Sequence, residues 1–310
     1  MSQAARDRGR GLRSAQTKGV VERTDGRMVA WARWGVAGGR PLLWLHGTPG
    51  CRLIHDEAQR LYEHVNADVV SFDRPGYGRS SPHRDLSVLS VAEDALAVAD
   101  AAGWHTFAVA GISGGGPYAL AIAFREPARV TTVGLIGGAT PTALEDPDEL
   151  LAINREARRR ALEEGRASYE EYGRQIVAEM DADLEAASAS HLGDAPEADR
   201  EAERDPERQA YWAATVQEAL RQGPEGWFDD GWAQMQPWGF ELSQIETPVH
   251  MWYGDLDRAV SRRAVDRMAA ALKTAHLELF PDEGHTGWRK HHERILCTLL
   301  DEQAARAAPC

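Results

Sequence analysis

A serine with glycines two residues to either side, Gly111-Ile112-Ser113-Gly114-Gly115, ends one apolar run and opens a helical pattern that begins Gly116-Pro117-Tyr118-Ala119-Leu120. A strand turning sharply into a helix at such a serine holds the hydroxyl out in a strained conformation, and a Cβ at 111 or 115 would clash with the turn. Acyl transfer on that hydroxyl needs a base and a group that orients the base. Gly284-His285 follows the last apolar run, Leu277 to Phe280, and Gly254-Asp255-Leu256-Asp257 follows the run Pro248 to Tyr253. The chain order is therefore Ser, Asp, His. Asp257 is expected over Asp255, because the carboxylate should fall three residues after the glycine that ends its strand.

In this reading Ser113 attacks an acyl carbon, His285 takes its proton, and Asp257 holds the imidazole tautomer and stabilises the imidazolium. The tetrahedral oxyanion needs two donors. The Gly114 N–H follows the nucleophile directly, and Thr48 N–H, in the loop His46-Gly47-Thr48-Pro49-Gly50, is the second candidate. Trp212, Trp227, Trp232 and Trp238 fall within 27 residues of one another, and Trp288 follows His285 by three. With His46 they are candidates to wall an apolar or aromatic pocket, while packing helices onto a sheet is the role expected of each tryptophan taken singly. Cys51, just past the oxyanion loop, reads as a small buried residue.

The elements that must carry these residues are short apolar runs separated by amphipathic stretches. The runs are Pro41 to His46, Asp68 to Asp73, Thr106 to Gly111, Val130 to Ile136, Pro248 to Tyr253 and Leu277 to Phe280. Helical patterns cover Ile54 to Val65, Val88 to Ala102, Gly114 to Glu126, Ser261 to Leu272 and Trp288 to Ala305. Val20 to Trp34 reads as a β-hairpin around Asp25-Gly26. The alternation predicts an α/β fold, a mostly parallel eight-stranded sheet flanked by helices, with its site in the loops at the strands' carboxyl ends.

Residues 141–236 break the alternation with helical charge patterns alone, such as Leu150 to Glu164 and Ser168 to Met180. They are expected to form a helical cap inserted into a core of residues 19–140 and 237–310. Its middle, His191 to Pro206, is rich in Asp, Glu, Ala and Pro and reads as a mobile link between cap helices. Residues 1–18, basic and without an apolar stretch behind them, read as a disordered tail.

The net charge of −13 is concentrated in 141–236, which holds 24 acidic and 10 basic residues. The remainder is nearly neutral, so no clustered cationic surface suggests a nucleic-acid partner. The acidic segment favours neutral or cationic small molecules over anionic ones. No apolar stretch is long enough to span a membrane. Three cysteines, Cys51, Cys297 and Cys310, show no metal-ligand or redox spacing, which fits a reducing cytoplasm. His291 and His292 lack metal-ligand partners, so neither a metal nor a cofactor is expected; a homodimer is compatible with the sequence.

Over about residues 20 to 300 the chain resembles the α/β-hydrolase superfamily. The resemblance lies in His46-Gly47-Thr48-Pro49-Gly50, Asp73-Arg74-Pro75-Gly76-Tyr77-Gly78-Arg79-Ser80, the Ser113 turn, Gly254 to Asp257, and Gly284-His285, in that order. It implies the fold, the triad and a cap where the helical insertion sits. Epoxide hydrolases and haloalkane dehalogenases carry an aspartate at the turn, where this chain has Ser113. Proline iminopeptidases are similar in the His46 to Gly50 loop and in an acidic cap, but differ at Gly111 to Gly115 and at Asp73 to Gly76. The leading expectation is a carboxylic-ester or lactone hydrolase. Aminopeptidase, carbon-carbon bond hydrolase and perhydrolase action on the same triad stay open, as does a ligand-binding protein without turnover. Asp73 to Ser80 is expected to tie loops together rather than touch substrate.

Overall fold

The computed structural model describes residues 17–53 and 56–307. Residues 1–16 of the expected tail and Cys310 lie outside that range. Asp25 and Gly26 turn the chain between β1 (Thr17–Glu22) and β2 (Met28–Gly35), Gly26 supplying the positive φ of 81°. The first strand thus begins two residues inside the stretch expected as tail.

Each apolar run forms a strand: β3 (Arg40–Leu45), β4 (Ala67–Phe72), β5 (Phe107–Ile112), β6 (Val130–Ile136), β7 (Val249–Gly254) and β8 (Ala275–Phe280). They make one eight-stranded sheet in the order β1-β2-β4-β3-β5-β6-β7-β8, antiparallel at the β1-β2-β4 edge and parallel beyond it. Every residue of β4 and β6 is buried, as expected where both faces of a parallel sheet are covered.

Helices α1 (Asp56–His64), α2 (Val91–Ala101) and α3 (Gly116–Arg125) follow β3, β4 and β5 in sequence. On one face of the sheet Val91, Val98, Tyr118 and Leu120 pack against Leu43, Val70 and Val109. On the other, Tyr62 joins Ile295, Leu296 and Leu299 against Trp34, Leu42 and Ala108. Removing any one of these leucines should cost about 2–5 kcal/mol.

Between β6 and β7 the described chain forms only helices and turns, apart from one isolated bridge. They are α4 (Ala152–Arg159), α5 (Arg166–Ala182), α6 (Leu184–His191), α7 (Glu197–Glu203), α8 (Pro206–Ala219) and α9 (Glu225–Met235). The stretch expected as a mobile link contains α7, whose Asp199 is only 4% exposed. Composition alone misreads it, because an acid-rich segment is held there by hydrogen bonds to another part of the chain. After β7 come α10 (Arg262–Ala271), β8 and α11 (His292–Ala307).

Candidate active site

The chain leaves β5 at Ile112, and Ser113 adopts φ 49°, a conformation costly for a side chain with a Cβ. The glycines explain how the turn is tolerated. A Cβ on Gly111 would lie 2.3 Å from Gly115 O, and one on Gly115 2.6 Å from Leu45 O. α3 starts at Gly116, whose N–H donates to Ser113 O, so the positive end of the helix dipole lies beside Ser113, where negative charge is favoured.

His285 Nδ1 lies 2.8 Å from Asp257 Oδ2. The other oxygen, Asp257 Oδ1, accepts from Ala259 N at 2.8 Å and Val260 N at 3.1 Å, so the carboxylate is fixed before it meets the imidazole. Asp255 is exposed and takes no part in this pairing. Burial pushes the His285 pKa down, but the charge and hydrogen bond of Asp257, with Asp199 adding to them, outweigh burial and the opposing Arg289, and the net direction is up. With Nδ1–H donated to Asp257, Nε2 is the basic nitrogen.

Ser113 and His285 line the same cavity, of about 570 Å³. Among the described residues no hydrogen bond joins the two side chains; catalytic contacts often close only around substrate. One loop spans the gap between them. Ala139 N donates to Ser113 O at 2.8 Å, while Gly137 lies under the imidazole, where a Cβ would come within 3.0 Å of His285 Cε1.

The His46 to Gly50 loop lies against the serine turn, since a Cβ on Gly114 would meet Thr48 Oγ1 at 2.1 Å. The Thr48 N–H has no partner among the described residues. Its side chain is heavily bound: Thr48 Oγ1 donates to Asp230 Oδ2 at 2.7 Å and accepts from Arg74 at 2.9 Å and Gln234 at 3.1 Å. Asp230, fully buried in α9, also takes a two-pronged ion pair from Arg74 at 2.9 and 2.8 Å and the hydroxyls of Tyr118 at 2.6 Å and Tyr77 at 3.1 Å. Burial alone would raise the Asp230 pKa; the charge and hydrogen bonds of Arg74, with Tyr118 and Thr48 adding theirs, lower it. Arg74 donates as well to His46 O and Gly47 O. Asp73 in turn binds Arg52 and the Arg79 N–H, so this loop ties others together as expected.

His46 lines the larger cavity, yet both ring nitrogens are used, Nδ1 toward Gly47 O at 2.7 Å and Nε2 accepting from Arg74 N at 3.2 Å. Burial and then Arg74 lower its pKa to about 3, which keeps it neutral. Trp212 and Trp288 line the same cavity, and Trp227 lines a second of about 190 Å³ that also meets Ser113, Thr48 and Gly114. Trp232 and Trp238 line neither. Trp232 packs on Tyr169 with Arg166 over its ring, and Trp238 is 5% exposed beside Phe240, donating to Gln234 O at 3.0 Å. These two serve helix packing, because an indole's bulk marks burial as readily as a pocket wall.

Sequence reasoning also missed Asp199. From α7 its carboxylate accepts His285 N at 2.9 Å, Thr286 N at 2.9 Å and Thr286 Oγ1 at 2.8 Å. Gly284 makes room for it, since a Cβ there would sit 2.1 Å from Asp199 Oδ2. The loop holding Asp257 is held from the same side: Leu151 N donates to Arg258 O at 2.7 Å and Asn154 to Ala259 O at 3.1 Å. The inserted helices therefore touch the Thr48, Asp257 and His285 loops, each through buried or half-buried polar contacts.

Cys51 is buried, and burial followed by the nearby Asp73 raises its thiol pKa, which disfavours the reactive thiolate. Among the described residues no group of three or more His, Cys, Asp or Glu side chains could hold a metal, and no helix is long and apolar enough to cross a membrane.

A model of the alpha/beta hydrolase fold matches residues 40–287, and the chain belongs to that family. A non-heme chloroperoxidase of Streptomyces lividans is 29% identical over 43% of this chain and 50% of its own length, and a proline iminopeptidase of Xylella fastidiosa is 30% identical over 38% and 39%. The chain thus spans half or less of these curated relatives. An esterase from Exiguobacterium antarcticum superposes with a TM-score of 0.65 at 18% identity, covering 91% of this chain and 98% of that one, which shows a shared fold.

Proposed function

We propose that the protein is a serine hydrolase that cleaves a carboxylic ester or lactone through an acyl-enzyme on Ser113. The observation that carries this reading is Ser113, strained at φ 49° at the head of α3, facing a cavity also lined by His285, which is itself bound to Asp257. Ser113 Oγ bonds to the acyl carbon as its proton passes to His285 Nε2, and the carbonyl π electrons move to oxygen, where the Gly114 and Thr48 amides receive the charge. The proton then goes from Nε2 to the leaving alkoxide as the carbon-oxygen bond breaks. Water repeats the sequence on the acyl-enzyme, releasing acid and free Ser113.

Residues 141–236 act as a cap in this account, covering the cavity and bracing its loops. The substrate is a small molecule with an aromatic or apolar part. The free Cys51 and Cys297 fit a reducing cytoplasm, and a homodimer remains compatible with the reading.

Hydrolysis of p-nitrophenyl acetate by the wild type, lost by a factor of about 10⁴ or more in Ser113→Ala, supports the reading. Activity retained in Ser113→Ala would remove it. Amino-acid arylamides cut far faster than esters would assign a peptidase instead, a rival that gains weight from the iminopeptidase relative.

A further inference from the structure

Two cavities meet at Ser113, and they differ in which catalytic group they share. His285 and Trp288 line the larger, of about 570 Å³, whereas Gly114 and Ala139 line the smaller, of about 190 Å³. In the reading above, which this inference rests on, His285 must deliver a proton to the leaving alcohol, so the alcohol occupies the side that holds His285. The acyl group is left with the smaller space.

The larger cavity has an aromatic floor. His292 packs edge-on against Trp288 at 5.2 Å and Tyr62 at 5.8 Å, with Trp44 at 5.3 Å. A flat ring suits such walls. They also carry unpaired polar atoms: Tyr62 Oη, His292 Nε2 and Arg208 Nε are buried without hydrogen-bond partners among the described residues. Each is a donor or, for a neutral imidazole, can be one, and each is closed off by its neighbours, so the wall behind the aromatic floor holds polar groups without an acceptor.

The charges around them are mixed. Arg208 pairs with Glu203 at 2.8 Å, Lys290 with Glu283 at 2.5 Å, and Asp205 is engaged at the N-terminus of α8 by Glu207 N at 2.8 Å; Glu207 also lines the wall. Among the described residues Arg289 forms no ion pair, and neither do Asp205 and Glu207; Arg289 lies against the aromatic floor, 5.0 Å from the Trp288 ring centroid. Burial and then Arg289 itself push the Arg208 pKa down, consistent with two guanidinium groups near each other over the same space.

We propose that the larger cavity binds an aromatic alcohol bearing a carboxylate, its ring against Trp44, Trp288 and His292 and its charge toward the guanidinium group of Arg289. The substrate is then the ester of a small acid with a carboxylated aromatic alcohol. This departs from the preference for neutral or cationic molecules suggested by the net charge of −13. Charges elsewhere on the cap are screened over about 8 Å at physiological salt, so donors at hydrogen-bond range decide.

The test compares 4-acetoxybenzoate with its neutral isostere 4-acetoxybenzamide in wild type, Arg289→Gln and Arg289→Lys. The expected kcat/KM ratio in favour of the carboxylate is about ten-fold or more, falling toward one in Arg289→Gln and recovering in Arg289→Lys. A wild-type ratio of one or less with both esters hydrolysed, or a ratio indifferent to Arg289→Gln, overturns the proposal. Should neither ester be hydrolysed, the ester-hydrolase reading is what is in doubt, and calorimetry of the free alcohols judges the subsite. Tighter binding of 4-hydroxybenzoate than of 4-hydroxybenzamide supports it; equal or absent binding overturns it.

Discussion

Ser113, Asp257 and His285 follow β5, β7 and β8, so one sheet sets their spacing, whereas Asp199 and Asp230 reach the same loops from helices α7 and α9 of the insertion. The strand-end residues announce themselves locally, each beside glycines that a sharp turn needs. The helical carboxylates have no local signature, being two among the 24 acidic residues of residues 141–236. Their importance comes from what they meet: a buried Arg74 with three hydroxyls in one case, the backbone of His285 and Thr286 in the other. We infer a division in which the sheet supplies reacting groups and the insertion fixes the loops that present them.

Asp257→Asn should show the largest effect on rate. The amide would turn an N–H toward His285 Nδ1, so the imidazole would carry its proton on Nε2 and could not accept the serine's; kcat should fall about 10³–10⁴-fold with the melting temperature little changed. A loss below ten-fold would take Asp257 out of the role.

Asp230→Asn should act differently. It leaves the Arg74 guanidinium buried beside a neutral amide, and unfolding experiments should read a loss of about 3–5 kcal/mol. Turnover should fall too, because the Thr48 loop loses its anchor. Pairing Asp230→Leu with Arg74→Met should restore much of the stability without restoring the rate. If both return together, Asp230 supports the fold alone and the proposed division fails at this point.

Asp199→Asn should give the smallest loss, about ten-fold in kcat/KM from a less firmly held histidine loop. Its signature is a pH profile. His285 must be neutral to accept a proton, so kcat/KM rises with pH through its pKa, which Asp257 and then Asp199 hold up. Removing the Asp199 charge lowers that pKa and moves the acid limb to lower pH. An unmoved limb would limit Asp199 to a structural role.

How far the sequence could be read follows the same division. The parallel strands were legible because runs such as Phe107–Ile112 are covered on both faces and carry no polar side chain, and the Ser113 turn because its glycines are required sterically. Trp232 and Trp238 could not be told from Trp212 and Trp288 in the sequence, since packing and pocket walls use the same bulky side chains. The stretch around Asp199 misled. An acidic, alanine-rich segment resembles a mobile link until its carboxylate meets two backbone amides some 86 residues away in the chain, a contact that no local pattern encodes.

The most direct test of the central claim is peptide mapping after brief exposure to the serine-reactive phosphate ester diethyl p-nitrophenyl phosphate. The account predicts a single diethylphosphoryl adduct on Ser113, formed much more slowly in His285→Ala and absent in Ser113→Ala. An adduct on a different residue, or labelling of Ser113 that proceeds equally fast without His285, would contradict it.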